Sequence, residues 1–131
     1  MRRILFILLL GLVAVGVPVA VNSAKEGKAK ISFAEYRYDF GNVKENKGAV
    51  SHEFTFTNTG DGNLLIIDAT ATCGCTKPEY PKQPIAPGKK GKIKVTYNPL
   101  GRPGPIDRTV TVKTNGSPKK VRLKIVGTVI P

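Results

Sequence analysis

The sequence predicts an all-β protein, an immunoglobulin-like β-sandwich of about seven strands that follows an N-terminal signal peptide. Three observations lead to this fold class. Apolar and polar residues alternate with a period of two in several short segments, as half-buried strands do. Clusters rich in Gly, Pro, Asn and Asp separate these segments. Past the first 24 residues no segment shows a sustained helical period, which favours two packed sheets.

The first 24 residues have the composition of a secretory signal peptide. Two arginines precede an unbroken apolar run at residues 4–21, and small residues end at Ala24. The pattern predicts cleavage after residues 1–24 and a mature domain at residues 25–131. The alternative is an uncleaved anchor, because about 18 apolar residues lie at the lower limit for a membrane span. Either interpretation places the domain outside the cytoplasm, in the periplasm or secreted.

The predicted mature domain is strongly basic. Loss of Arg2 and Arg3 leaves 19 basic groups against 9 acidic ones, a formal net charge of +10. Such a charge favours acidic partners, either a protein or an anionic envelope component such as a polymer or a lipid headgroup. Nucleic acid is not expected, because the compartment is wrong and Phe54, Phe56 and Tyr97 occupy core positions. The alternative is that the lysines protect strands from edge pairing.

Each strand is predicted from its own apolar run. An irregular first strand lies within residues 31–40. The continuous run 64–67 suits a more fully buried strand, with Leu65 and Ile67 in phase with the alanines that follow. The remaining strands alternate, and they centre on Phe54 and Phe56; on Ile93, Val95 and Tyr97; on Val110 and Val112; and on Val121, Leu123 and Ile125. Turn clusters occupy residues 58–63, 84–88, 98–101 and 115–118.

Short motifs are spread over essentially the whole of residues 25–131. They are Asp39-Phe40-Gly41, Phe54-x-Phe56-x-Asn58-Thr59-Gly60, Leu64 with Ile66, Cys73-Gly74-Cys75-Thr76-x-Pro78, Pro84-Ile85-x-Pro87-Gly88, Val95-x-Tyr97 and Thr114-Asn115. Together they closely resemble the bacterial secreted proteins grouped as domain of unknown function 1573, which are related to the abnormal-spindle/hydin modules and the PapD-type chaperones. The resemblance implies a seven-stranded Ig-like fold and an envelope location. It implies no established activity, and no catalytic residues are carried over.

The only two cysteines, Cys73 and Cys75, are one residue apart. A regular strand sets alternate residues about 6.5 to 7 Å apart, whereas a disulfide requires Cβ atoms at about 3.5 to 4.5 Å. Gly74 tolerates backbone angles that fold the three residues into a tight turn, which would allow a disulfide. Three roles stay open at this point: a structural disulfide, a redox couple, and half of a metal site.

Metal binding and catalysis have little support in the sequence. A tetrahedral metal site with Cys73 and Cys75 needs two more ligands, and the predicted mature chain offers only His52 as a further soft donor. Because His52 is in phase with Phe54, we expect it to be partly buried at the start of a strand. No partner that would orient a Cys-His pair is identifiable, so no catalytic residue and no cofactor is predicted, and enzyme activity is unsupported.

The sequence therefore favours a non-enzymatic extracytoplasmic interaction or assembly module. The alternative is a thiol-disulfide protein that uses the two cysteines, and metal binding comes third. One candidate surface is an exposed loop at residues 72–83 with Lys77, Tyr80 and Lys82. Contact with a membrane is expected only if the signal segment is uncleaved.

The second candidate surface is a docking edge on the last strand, within residues 121–130. Arg122 and Lys124 would point outward there, and Gly127 would form a bulge. The alternative is that this segment is simply the last strand of the sandwich, with protective charges.

We predict that the exported protein begins at or close to Lys25. Small residues end the apolar run and charged residues follow at once, as at signal-peptidase sites. Intact-mass measurement on envelope material checks this expectation. Recovery of the full-length chain in the membrane fraction would show that the segment is an anchor.

Overall fold

The computed structural model describes residues 27–131, so the predicted signal peptide and its cleavage site lie outside the described residues. In this part of the chain no helix is long and apolar enough to cross a membrane. The strands are β1 (Ile31–Phe33), β2 (Arg37–Lys44), β3 (Val50–Asn58), β4 (Ile66–Ala71), β5 (Thr76–Glu79), β6 (Lys90–Tyr97), β7 (Gly104–Thr114) and β8 (Lys120–Ile130).

The strands form two four-stranded sheets, with the orders β1-β3-β6-β5 and β2-β8-β7-β4. The predicted all-β sandwich is confirmed. The strand number is eight because the predicted first strand at residues 31–40 is divided between the sheets: β1 pairs with β3, and β2 pairs with β8 in parallel. The additional strand β5 lies within the predicted loop at residues 72–83.

The core lies between the two sheets and consists of the alternating residues of β3, β6, β7 and β8, as predicted. Phe54 and Phe56 of β3 are fully buried. Gly91 pairs with Phe56 across the sheet, and a side chain at Gly91 would overlap the phenyl ring. The ring therefore occupies the volume that a Cβ would need. All twenty buried apolar residues of the described part lie between Ala29 and Val129.

The predicted phase of the fourth strand is wrong. Leu64 and Ile66 are buried, whereas Leu65 and Ile67 are 37% and 56% exposed. The register shifts between Ile66 and Asp68 where β4 pairs with β7, so Ile67 is an extra residue without a partner. A bulge of this kind reverses the inward and outward positions that a simple period of two assigns.

The predicted docking edge on the last strand is also wrong. β8 is a central strand, with β2 parallel on one side and β7 antiparallel on the other. Arg122 and Lys124 are exposed on the outer face of the sheet and not along a free edge. The predicted bulge lies in the neighbouring strand β2, where Phe40 and Gly41 both lie opposite Gly127.

Asn58 is the fully buried polar side chain at one end of the sandwich. Its Nδ2 donates to the carbonyl oxygens of Gly62 and Ile85, at 2.7 and 2.9 Å. Its Oδ1 accepts from the amides of Gly60 and Lys30, at 3.1 and 3.3 Å. One side chain thereby joins the start of the domain, the β3–β4 loop and the loop before β6.

We predict that Asn58→Ala lowers the free energy of unfolding by about 2 to 4 kcal/mol, because it leaves several backbone groups without partners. The melting temperature of a domain of this size should fall by roughly 10 °C or more. Thermal unfolding followed by circular dichroism measures the change. The control is Asn63→Ala at an exposed position, and equal melting of the two variants would contradict the structural role.

Candidate functional site

The cysteine motif forms the crossover between the two sheets. β4 ends at Ala71 in one sheet and β5 begins at Thr76 in the other, so Cys73 to Cys75 turn the chain between them. The two cysteines are joined by a disulfide with their Cα atoms 5.2 Å apart. The amide of Thr76 donates to the carbonyl of Cys73 at 3.1 Å, which closes a tight turn. The predicted tight turn is confirmed.

Gly74 does not play the conformational role that the sequence suggested. It is not among the glycines with positive φ, and a Cβ at this position would meet nothing within 4 Å. The turn therefore does not sterically require glycine. A larger side chain at this position would fit without contact to the rest of the domain.

The two sulfur atoms lie in different surroundings. Cys75 is only 5% exposed and belongs to the core, and its Sγ lies 3.6 Å from Thr76 Oγ1. Its carbonyl accepts from the amide of Asn98 at 2.9 Å, which joins the turn to the end of β6. Cys73 is partly exposed, and its Sγ accepts from the amide of Cys75 at 3.2 Å. Cys73 is therefore the more accessible member of the pair.

The prediction of an exposed loop at residues 72–83 is wrong for its central part. Thr76 is buried opposite Tyr97, and Pro78 pairs with Val95 in an edge strand. Proline is tolerated there because one side of an edge strand makes no ladder hydrogen bonds. The segment shows no alternation that would have revealed the strand, since its stability comes from pairing with β6.

The predicted binding residues of this segment divide into two groups. Lys77 is exposed on β5, opposite Thr96 of β6. Tyr80 follows the strand and packs partly against the core. The ammonium group of Lys82 lies 3.6 Å from the centre of the Tyr80 ring, within the range of a cation–π contact. The structure thus brings Tyr80 and Lys82 together.

His52 has the predicted partly buried position near the start of a strand. Its side chain is 20% exposed and is bonded to the carboxylate of Glu35. The imidazole stacks on Tyr38, with ring centres 3.6 Å apart, and meets the edge of Phe54 at 4.8 Å. These contacts join β3 to the β1–β2 connection. In residues 27–131 no group of three His, Cys, Asp or Glu side chains is placed to hold a metal ion.

Most basic side chains in the described part of the chain form no ion pair with a carboxylate. All basic and acidic residues except Arg2, Arg3, Lys25 and Glu26 lie in the described part, which therefore carries 18 basic and 8 acidic groups. Its lysine–carboxylate ion pairs are Lys92 with Glu53 and Lys124 with Asp107, both at 3.1 Å.

The sequence analysis missed a pair of lysines on the β7–β8 hairpin. Lys113 and Lys120 are both exposed and lie directly opposite each other in the antiparallel register. Like charges in this position destabilise a sheet. The turn cluster at residues 115–118, between two basic alternating segments, was the signal that could have revealed the pair.

The family comparison agrees with the resemblance in the motifs. The family described as "Protein of unknown function (DUF1573)" matches residues 31–129. The chain belongs to this family. No curated protein is significantly similar to the chain. Membership of the DUF1573 family confirms the resemblance and assigns no role.

Solved structures with the same fold come from distant proteins. A protein of unknown function from Porphyromonas gingivalis W83 is 15% identical over 78% of this chain, with a TM-score of 0.64. PapD-like domain 7 of human CEP192 is 11% identical over 79% of this chain and 87% of its own, with a TM-score of 0.65. The secreted serine protease VesC from Vibrio cholerae is 15% identical over 76% of this chain, with a TM-score of 0.57.

These neighbours show the fold of the DUF1573 domain and nothing beyond it. The chain spans 46% of the length of the Porphyromonas protein and 23% of the protease. The match to the CEP192 domain confirms the relation to PapD-like Ig folds.

We predict that the disulfide is not required for folding. Cys73→Ser/Cys75→Ala should lower the free energy of unfolding by about 1.6 kcal/mol, the chain-entropy value for so short a ring. The melting temperature should fall by roughly 10 °C or less. Alanine replaces Cys75 because that side chain is buried. A reductant should cause a similar shift in the wild type and none in the variant, and loss of folding would show that the bond is essential.

Proposed function

We propose that the protein is a non-enzymatic extracytoplasmic module that binds an anionic partner through the outer faces of its sandwich. The observation that carries this proposal is the excess of 18 basic over 8 acidic groups, of which few form ion pairs in the described part. Unpaired surface charges of one sign attract oppositely charged partners over about a Debye length. The signal-like residues 1–24 support the location.

The residues of the family motifs have structural roles in this domain. The Asn-Thr-Gly motif and the Pro-Ile-x-Pro-Gly loop meet at the side chain of Asn58, which bonds Gly60 and Ile85. The cysteine motif forms the crossover between the sheets. These motifs stabilise the fold, and the charged faces are therefore the better candidates for binding.

The free strand edges are poor docking sites, which favours binding through the faces. β1 has three residues and β2 carries a bulge. In β4 the amide of Ala69 donates to Asp68 Oδ1 at 2.9 Å, and β5 contains Pro78. Short edges, bulges and prolines are among the devices by which proteins prevent strand addition, and the carboxylate of Asp68 occupies a backbone donor of β4.

The two surfaces predicted from the sequence are thus proposed as parts of the outer faces of the two sheets. Lys77, Tyr80 and Lys82 would form a surface beside the disulfide. Arg122 and Lys124 would act from the middle of the other sheet, although Lys124 is already paired with Asp107.

Co-sedimentation of the exported protein with isolated envelope material tests the proposal. We expect binding at about 50 mM salt and release at about 0.5 M, because added salt shortens the screening length. Lys77→Ala/Lys82→Ala and Arg122→Ala/Lys124→Ala remove equal charge from the two faces, so their comparison shows which face binds. Binding that is unaffected by salt and by both variants would overturn the proposal.

A thiol-disulfide function is the second candidate, and one observation favours it. Cys73 is partly exposed, so an incoming thiolate can reach this member of the disulfide. A Cys75→Ala variant leaves Cys73 free to form a mixed disulfide. Specific trapping of one envelope protein would support this candidate, and trapping equal to that of an unrelated surface cysteine would contradict it.

A further inference from the structure

One end of the second sheet combines exposed lysines with exposed apolar side chains. We call this group the hairpin patch, and it consists of Leu65, Ile67, Lys113, Lys119 and Lys120. Lys113 and Lys120 pair across the β7–β8 hairpin, and the carbonyl of Lys119 accepts from the amide of Thr114. Leu65 and Ile67 are two of the four exposed large apolar residues of the described part.

The apolar and basic members of the hairpin patch are neighbours. The amide of Leu65 donates to Asn115 Oδ1 at 2.8 Å, and its carbonyl accepts from the amide of Asn115 at 3.1 Å. Asp68, the residue after Ile67, pairs with Lys113 in the sheet. Asp68 is the acidic residue on β4, and its Oδ1 already accepts from the backbone, so it offsets the lysines only in part.

The start of the domain lies against the same hairpin. The amide of Ser117 donates to the carbonyl of Ala29 at 3.0 Å, and the amide of Ile31 donates to the carbonyl of Ser117 at 3.1 Å. Lys28 and Lys30 are exposed beside it. These two lysines add positive charge at the end of the sandwich that carries the hairpin patch.

We propose that the hairpin patch docks on an anionic lipid surface, with the lysines at the headgroups and Leu65 and Ile67 in contact with the acyl boundary. This inference rests on the proposed function, since it specifies the anionic partner. A lipid surface fits better than a soluble polyanion, because a polyanion offers nothing to the exposed side chains of Leu65 and Ile67. Apolar contact combined with attraction to anionic lipid is the general basis of such binding.

Vesicle co-sedimentation tests the proposal with the chain that begins at Lys25, which retains all the buried apolar residues of the described part. The probes are vesicles of phosphatidylcholine alone and vesicles with roughly 30% phosphatidylglycerol. We expect binding to the anionic vesicles only. Lys113→Gln/Lys119→Gln/Lys120→Gln should weaken it about fivefold for each lysine, on the order of a hundredfold together. Ile67→Ser should weaken it about fivefold, as partial burial of one side chain predicts.

Matched controls separate the patch from general charge. Lys89→Gln/Lys90→Gln/Lys94→Gln removes the same charge from around the other sheet, and Leu100→Ser changes an apolar residue in another turn that is 64% exposed, against 56% for Ile67. Thermal unfolding of each variant confirms that it is folded. Equal losses in patch and control variants, or retained binding of the patch variants, would overturn the proposal.

A soluble polyanion, polyglutamate, distinguishes the two proposals. If polyglutamate binds as tightly as the anionic vesicles and Ile67→Ser has no effect, the lipid inference is wrong and binding to an anionic partner stands. If envelope material, polyglutamate and vesicles all fail to bind, both proposals are wrong. Tighter binding to vesicles, reduced by Ile67→Ser, supports the lipid inference.

Discussion

The buried side chain of Asn58 is the constraint on which one end of the sandwich depends. Burying an amide is unfavourable unless all its hydrogen-bonding groups have partners, and here both its donor and acceptor atoms are used. Its backbone continues the network, since its amide donates to Lys89 and its carbonyl accepts from Gly88. A side chain at Gly62 would overlap Gly27, so glycine is needed for the start of the domain to lie against this loop. The Asn-Thr-Gly motif and the Pro-Ile-x-Pro-Gly loop are thus both held in place by the side chain of Asn58.

The cysteine crossover lies at the opposite end of the same strands. Thr76 follows the disulfide and pairs with Tyr97, which in turn pairs with Val50 at the beginning of β3, whereas Asn58 ends that strand. The hydrogen-bonded loops and the disulfide are therefore separated by the length of β3. The hairpin patch belongs to the Asn58 end, because Ser117 bonds the segment that includes Lys30. A thiol function and a lipid-binding function would act at different ends of the domain and can be tested independently.

The sequence predicted the strands in which alternating apolar and polar residues indicate burial. It failed for features that depend on pairing with distant parts of the chain. Alternation in β3, β6, β7 and β8 was sufficient, because each has one face on the core. The bulge at Ile67 reversed the phase of β4, and β5 has too few residues for a pattern. The central position of β8 depends on β2, since Arg37 pairs with Lys124 from far along the chain. No local pattern in the last strand carries that information.

The candidate functional residues also divide into those predictable from local sequence and those that depend on strand pairing. The tight turn at the cysteines was predicted from bond geometry and two cysteines one residue apart, but the opposition of Lys113 and Lys120 depends on the hairpin register. That register is held by Thr114, whose hydroxyl donates to the carbonyl of Pro118 at 3.0 Å and accepts from the amide of Gly116 at 3.1 Å. The repulsion between the lysines persists because these bonds and the core beneath them outweigh it. Two like charges on directly opposed residues, beside exposed apolar side chains, reduce stability and strengthen attraction to an anionic surface.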